Sequence, residues 1–334
     1  MSFNEDRYET MNYRRCGRSG LKLPEISLGM WHNFGAEADH ANCRAMMRMA
    51  FDAGVCHFDL ANGYGPPMGS AEQRVGQILK EDFSAHRDEL IISTKAGWPY
   101  WPGPYGDWGS KKHLLSSLDR SLEYLDLDYV DIFYHHREDP ETPIEETLGA
   151  LEQIMRQGKA LYVGISNYSG QAFVEAHTVA QEMGVPLTLF QPKYNMLNRE
   201  MELEQLGRVE EFDTGMICYS PMAEGILTDK YLDAQNPIPM DSRAAQDYQG
   251  LTVEEITQER LEKVRALMTI AEERGQSLAQ MAVAWTLRDP RMTSALVGAR
   301  TPEQLADTLC ALEHLEFSEE ELKRIDAICP SFLL

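Results

Sequence analysis

Asp59, Tyr64, Lys95 and His136 are the residues whose types and placement best suit a chemical step. Asp59 and Tyr64 share the segment Phe58-Asp59-Leu60-Ala61-Asn62-Gly63-Tyr64-Gly65, Lys95 closes Ser93-Thr94-Lys95, and His136 stands in Tyr134-His135-His136-Arg137. Each acid, amine or imidazole sits at the end of a short strand-like run, with the phenol shortly after one. An acid, a phenol, an amine and an imidazole facing one space suit proton delivery to a carbonyl oxygen during hydride attack. A free tyrosine, with a pKa of about 10, is a sluggish acid at neutral pH. A cationic Lys95 would favour the phenolate and lower that value, Asp59 would keep Lys95 charged and oriented, and His136 would hold the carbonyl oxygen. Tyr64 is then the expected general acid. Taken singly, each residue also has a structural reading: an ion pair for Asp59 and Lys95, packing for Tyr64, a satisfied histidine for His136. Only the four together favour chemistry. His135, His136 and Asp139 hint at metal ligation, but neighbours on an extended chain point oppositely and no third histidine lies at ligand spacing, so no metal is expected.

The elements that must position these side chains follow from the alternation of short apolar runs with longer helical patterns. Runs at 13–16 and 21–23 flank Gly17-Arg18-Ser19-Gly20 and read as a β-hairpin. Eight strand-then-helix units follow: 26–29 with 40–53, 57–59 with 70–79, 90–94 with 111–125, 130–135 with 143–157, 161–166 with 170–183, 187–191 with 200–212, 216–219 with 260–274, and 294–297 with 302–314. An additional helix is expected at 278–287. Such alternation implies parallel strands with crossover helices, and no G-x-G-x-x-G follows the first strand. The reading is an α/β protein built as a (β/α)8 TIM barrel, with the N-terminal hairpin plugging one mouth and long loops at the C-terminal face. Two loops stand out there, the aromatic- and Gly/Pro-rich 96–110 and the long polar 221–250.

Composition narrows the partners. The 334 residues carry 31 basic and 53 acidic side chains, a net charge of −22, which repels nucleic-acid phosphates and anionic membrane surfaces. An anionic ligand would need local cations, so the few Lys and Arg of a site carry added meaning. Apolar residues at 43% and charged ones at 25% are those of an ordinary globular chain. The six cysteines show no CxxC spacing, the N-terminus lacks an apolar signal core, and no run of about 18 apolar residues occurs. A cytoplasmic protein with no nucleic-acid or membrane partner is expected.

The sequence resembles the aldo-keto reductase family over nearly its whole length. The resemblance is carried by the segments around Asp59, Lys95 and His136 quoted above, by Gly164-Ile165-Ser166-Asn167-Tyr168, by Gln191-Pro192-Lys193-Tyr194-Asn195 and by Tyr219-Ser220-Pro221-Met222. It implies a single barrel domain over 1–334, a catalytic tetrad of Asp59, Tyr64, Lys95 and His136, and NADPH as cofactor. Ser166, Asn167 and Gln191 would hold the carboxamide and Tyr219 would stack on the nicotinamide, beside Trp31 and Asp59. Ser220, Pro221, Met222, Gly225 and Leu227 would line the pyrophosphate, with Lys230 to neutralise it. Gly298, Arg300, Gln304, Asp307 and Thr308 would take the adenosine phosphate end. Many members carry Lys-Ser, then Arg, then Glu-Asn through this last segment, whereas this chain has Gly298-Ala299, Gln304 and Asp307-Thr308, with Arg300 displaced upstream. The NADPH preference therefore rests on Arg300 and Gln304.

Within the family, Gly29-Met30-Trp31-His32-Asn33-Phe34-Gly35, Trp101-Pro102-Gly103-Pro104-Tyr105-Gly106 and Leu227-Thr228-Asp229-Lys230-Tyr231-Leu232 resemble the subgroup of bacterial glyceraldehyde-3-phosphate reductases and potassium-channel β-subunits. The substrate wall is then expected from Trp31, Tyr64, Trp98, Trp101 and His136, and a short C-terminal tail would leave the pocket open to small aldehydes, ketones or α-oxoaldehydes. The subgroup also implies a homo-oligomer. A slow-turnover, redox-sensing NADPH-binding subunit is the alternative, and a barrel lyase or isomerase would need phosphate-gripping Gly loops of which Gly298 is the lone candidate.

Overall fold

The short parallel strands are buried on both faces, and their successive side chains divide between the inside of a barrel and the layer beneath its helices. The computed structural model describes residues 2–240, 242–246 and 250–331. Residues 1, 241, 247–249 and 332–334, which belong to the expected domain and partly to the long loop, lie outside the described residues. Strands β1 (Tyr13–Arg15) and β2 (Lys22–Pro24) form the antiparallel hairpin. Strands β3 (Ile26–Gly29), β4 (His57–Asp59), β5 (Ile91–Ala96), β6 (Val130–His135), β7 (Ala160–Ser166), β8 (Leu187–Gln191), β9 (Gly215–Tyr219) and β10 (Met292–Val297) pair in parallel, and β10 closes on β3.

Helices α1 (His40–Asp52), α2 (Ser70–Ile78), α3 (Lys111–Leu125), α4 (Ile144–Arg156), α5 (Gly170–Met183), α6 (Met201–Glu204), α7 (Gln258–Glu273), α8 (Leu278–Leu287), α9 (Pro302–Leu309) and α10 (Glu319–Ile328) surround it. Several begin at a capping hydroxyl, where Ser110, Ser169, Thr257, Ser277 and Thr301 each accept from a backbone N–H of the first turn. On β4, Phe58 faces outward into the apolar layer beneath the helices, while His57 and Asp59 share the inner face. A second, smaller cluster inside the barrel joins Ile132, Tyr134, Leu189, Ile217 and Leu296 to Cys16, Leu21 and Leu23 of the hairpin. The hairpin thus plugs the N-terminal mouth, and chemistry is confined to the other end.

Three elements depart from the sequence reading. Strand β5 runs on to Ala96, so Lys95 lies one residue inside its end rather than at it. The 200–212 segment holds only the short α6, because Gly207 interrupts an acid-rich stretch, and turns complete it. After α9 the chain tightens into a 3-10 turn at Cys310–Glu313 and then forms α10, whose Ser318 and Glu321 make a reciprocal capping box. Helix α10 and the tail after it are tied to the barrel flank: Arg199 donates to Asp326 and to the Cys329 carbonyl, and Ser331 donates to Glu202. None of these tail residues borders the cavity described next.

Candidate active site

Parallel register places the acid and the amine together. Asp59 on β4 lies opposite Ser93 on β5, so Lys95, two residues on, projects from the same inner face one step higher. Lys95 Nζ donates to Asp59 Oδ2, to the Leu60 carbonyl (2.6 Å) and to the Tyr64 hydroxyl (3.5 Å), which uses all three ammonium protons. Both Asp59 and Lys95 are fully buried. A buried charge is tolerable only when paired and hydrogen-bonded, and this pair meets both conditions. Asp59 Oδ1 accepts from Ser93 Oγ (2.6 Å) and Gln191 Nε2 (3.3 Å). The loop leaving β4 turns back at Ala61–Tyr64, where the Tyr64 amide donates to the Ala61 carbonyl, and this returns the phenol to the strand ends.

Burial pulls the Lys95 amine below its ordinary value, with Asp59 opposing. Tyr64 is pushed well above the usual phenol value by burial first, then by Asp59 and Tyr219. The expected lowering of Tyr64 by Lys95 is therefore corrected: the Lys95 charge is already taken up by Asp59, and desolvation of the phenolate outweighs what remains. Tyr64 holds its proton at neutral pH. His136, at the end of β6, is held neutral, well below the usual imidazole range, by burial and then by Lys95, His135 and Arg137. Its ring lies 6.0 Å from that of Tyr64, centroid to centroid. His135 turns the other way, its Nδ1 on the Tyr168 hydroxyl (2.6 Å). Gly97 carries the chain out of β5 with φ +148°, close enough that a Cβ there would lie 3.2 Å from the His136 amide.

Above this floor opens a cavity of about 1820 Å³, larger than one drug-sized ligand requires. Its far wall is a stitched row of strand ends. Ser166 Oγ donates to the Gln191 carbonyl (2.8 Å), Asn167 Nδ2 to the His136 carbonyl (3.0 Å), and the Tyr219 hydroxyl to Asn167 Oδ1 (2.6 Å). Asn167 and Ser220 adopt φ of +53° and +54° just past β7 and β9, conformations that cost strain and turn the chain outward at the rim. The turn after β10 is pinned by Asn33 and Asn42, which donate to the carbonyls of Ala299 (2.7 Å) and Arg300 (2.6 Å). Gln304 accepts from the Arg300 amide, and Gln280 donates to Asp307.

Lys230, Arg243 and Arg300 all border the cavity. The Arg243 guanidinium sits 5.3 Å from the Trp31 ring, and its pKa is lowered by burial, with Arg300 adding to the effect and Glu224 opposing. Gathering guanidinium groups in a chain of net charge −22 makes sense around a polyanion. The cavity's volume, the cations Lys230, Arg243 and Arg300 on its border, flat Tyr219 and the amide-bearing wall together fit a nicotinamide dinucleotide.

Most of the residues expected from the sequence surround this one cavity; Lys95 reaches it through Tyr64 from below. Two do not. Leu227 is fully buried in the apolar layer, as a leucine at the end of a tight turn can be. Trp101 turns toward α3, its ring 5.0 Å from His113 and under the Arg120 guanidinium. Trp98 does reach the rim, edge-on to His136 and beneath Arg137. The sequence reading missed Arg243, His32 and Met68, which border the same space. The scarcity of cations in an acidic chain makes any site cation informative but does not single out Arg243.

Comparison with known proteins agrees with this geometry. The Aldo/keto reductase family model matches residues 25–330. An L-glyceraldehyde 3-phosphate reductase of Escherichia coli (strain K12) is 51% identical over 327 residues, 97% of this chain and 94% of the relative, and its counterpart from Escherichia coli O157:H7 is 52% identical over the same length. A probable voltage-gated potassium channel subunit beta of Oryza sativa subsp. japonica is 37% identical over 325 residues, 96% of this chain and 97% of the relative. No helix among the described residues is long and apolar enough to cross a membrane. This chain is an oxidoreductase and belongs to the aldo/keto reductase family.

Proposed function

We propose that this chain uses NADPH to reduce small aldehydes and ketones to alcohols, with L-glyceraldehyde 3-phosphate and α-oxoaldehydes within its range. The observation that carries the reading is the buried Asp59–Lys95–Tyr64 set under a cavity with neutral His136 beside it. NADPH, when bound, supplies the hydride. Tyr64, which keeps its proton at neutral pH, gives it to the carbonyl oxygen, and Lys95 stabilises the phenolate left behind. Neutral His136 donates a hydrogen bond to the same oxygen and so orients the carbonyl. Asp59 keeps Lys95 charged. Ser166, Asn167 and Gln191 hold the carboxamide, Tyr219 supports the ring, and Lys230, Arg243 and Arg300 meet the phosphates. Trp31 and Trp98 wall the substrate side. The reading places the enzyme in the cytoplasm as a homo-oligomer, like the subgroup it resembles.

The test is steady-state oxidation of NADPH and of NADH against short aldehydes, phosphorylated and not. NADPH-dependent turnover of several aldehydes is expected, with weaker NADH use. Equal use of both cofactors would remove the role given to Arg300. Tight NADPH binding with turnover slower than once per minute for every aldehyde would favour a redox-sensing subunit, the reading to which the resemblance to channel subunits points.

A further inference from the structure

The barrel interior is split by chemistry. The sector formed by β6, β8 and β9 is apolar, with Ile132, Tyr134, Leu189 and Ile217, but β10, β3, β4 and β5 contribute Ser294, Ser27, His57 and Ser93, all fully buried. These four are in contact as a chain: Ser294 Oγ to Ser27 Oγ at 2.7 Å, Ser27 Oγ to His57 Nδ1 at 2.8 Å, His57 Nε2 to Ser93 Oγ at 2.9 Å, and Ser93 Oγ to Asp59 Oδ1 at 2.6 Å. A polar row through a barrel core needs a reason, since apolar side chains would fill the space without hydrogen bonds to satisfy.

Valence fixes its direction. A carboxylate only accepts, so the single Ser93 proton goes to Asp59, and the His57–Ser93 contact must take its proton from Nε2. A neutral ring protonated on Nε2 leaves a lone pair on Nδ1, which the Ser27 proton meets. Ser294 then donates to Ser27, because its other acceptor, the Glu25 carbonyl, is at 3.4 Å. Every donor points toward Asp59. Burial holds His57 neutral, at about 4, with Lys95 adding to the lowering and Asp59 opposing.

We infer that Ser93 and His57 are positioning residues of the proposed reductase step: the row from Ser294 delivers one fixed hydrogen bond to Asp59 Oδ1 and so sets how much of the Asp59 charge Lys95 and Tyr64 feel. The inference rests on the reductase reading for its kinetic consequence, though not for its hydrogen-bond polarity. The ionisable groups around Asp59 are Lys95 on β5, His57 on its own strand, Tyr64 in the next loop and Tyr134 on β6, with Glu72 of α2 behind Lys95 and His136 and Tyr219 facing Tyr64. Without the Ser93 donor, the carboxylate charge is less shared and its field on Tyr64 grows. That field raises the phenol's pKa, so the acid weakens and its loss of a proton moves to higher pH.

The experiment is the pH profile of single-turnover NADPH oxidation with one good aldehyde for wild type, Ser93→Ala and Ser93→Thr, together with NADPH Kd. Ser93→Ala is expected to slow the step about ten- to hundredfold, the effect of one lost hydrogen bond to a charged group, and to move the basic limb upward by about half a pH unit or more. Ser93→Thr keeps the hydroxyl and should restore both, with NADPH Kd within about twofold in all three. A slower step with an unmoved limb, or no rescue by threonine, overturns the inference, because a packing role would give that. Should Ser93→Ala fail to fold, 15N NMR of wild-type His57 decides: a neutral Nε2–H tautomer is expected from about pH 5 to 8, and an Nδ1–H tautomer or titration in that range overturns the inference. If wild type reduces no aldehyde, the functional reading fails, while the tautomer still tests the row.

Discussion

On the floor of the cavity, Asp59, Lys95 and His136 stand on or just past the adjacent strands β4, β5 and β6, and parallel register sets their spacing. On the rim, Arg243 and Trp98 hang on loops that follow β9 and β5, and their positions depend on side-chain stacking: Arg243 on Trp31, Trp98 on Arg137. Asp59 and Lys95 are fully buried and saturate each other, so loss of one leaves the other with an unmet charge. The rim groups remain close to water, so loss of one is partly made good by solvent. Chemistry should therefore fail abruptly when the floor is altered, and recognition should erode gradually when the rim is.

The largest effect tests the floor. Tyr64→Phe keeps the ring and removes the acid, so the hydride-transfer rate should fall by about 10²–10⁴ while NADPH Kd stays within a few-fold. Lys95→Met should give a similar fall and also destabilise the fold by about 3–5 kcal/mol, because Asp59 is left buried without its cation. Single-turnover kinetics and urea unfolding of both variants check this. If Tyr64→Phe retains more than about a tenth of the rate, the division between floor and rim collapses.

A smaller effect belongs to Arg243→Ala. Removing one guanidinium from the phosphate side should weaken NADPH by about 1–3 kcal/mol and leave the rate at saturating cofactor within about threefold. Fluorescence titration reads the first and saturated turnover the second; a large drop in saturated rate would mean that this rim residue acts on the chemistry. The Trp31→Ala, Arg243→Ala double-mutant cycle should then show a coupling of about 0.5–1 kcal/mol in NADPH affinity, since the indole supports the guanidinium. No coupling would make Trp31 a wall of the substrate side alone.

The same division explains what could be read from the sequence. Asp59, Lys95 and His136 were legible because strand ends are marked by apolar runs, and a barrel brings such ends together. The hairpin plug and the eight barrel strands followed from periodicity and glycine punctuation, whereas the helix expected at 200–212 did not. Arg243 was not legible, because the loop around Ser242-Arg243-Ala244 has no period and no motif that says which side chain turns inward. Trp101 shows the converse: composition marked an aromatic loop but could not say that this ring packs on α3 while Trp98 reaches the cavity. His57 and Ser93 sit two residues before Asp59 and Lys95, a spacing that shares a strand face, yet their contact needs the register of β4 on β5. The direction of the Tyr64 shift required knowing how fully the phenol is buried. Helix α10 is announced by Ser318 and Glu321 at capping-box spacing, a signal that strand-helix alternation alone does not use.

The smallest effect on catalysis is expected behind the floor, at Glu72. This α2 side chain is fully buried on the outer side of β5, where it accepts from Thr94 Oγ1 (2.6 Å). Burial pushes its carboxyl up to about 7, against the pull of Thr94, Ser121 and Lys95. The folded value lies above the unfolded one of about 4.3, so between these values the folded state binds the extra proton, and stability falls as pH rises through this window. Above about pH 7 the full penalty of burying the charge is present. Glu72→Gln keeps an oxygen for Thr94 and carries no charge at any pH. It should raise stability by on the order of 1–3 kcal/mol at pH 8, shrink toward no effect near pH 5, and leave the hydride-transfer rate within about twofold, because Asp59 rather than Glu72 holds Lys95. Urea unfolding at the two pH values reads the first part and single-turnover kinetics the second. A stability gain independent of pH would mean that Glu72 titrates alike in the folded and unfolded protein and that burial does not raise its pKa, and a tenfold loss of rate would extend the catalytic floor outward through β5 to α2.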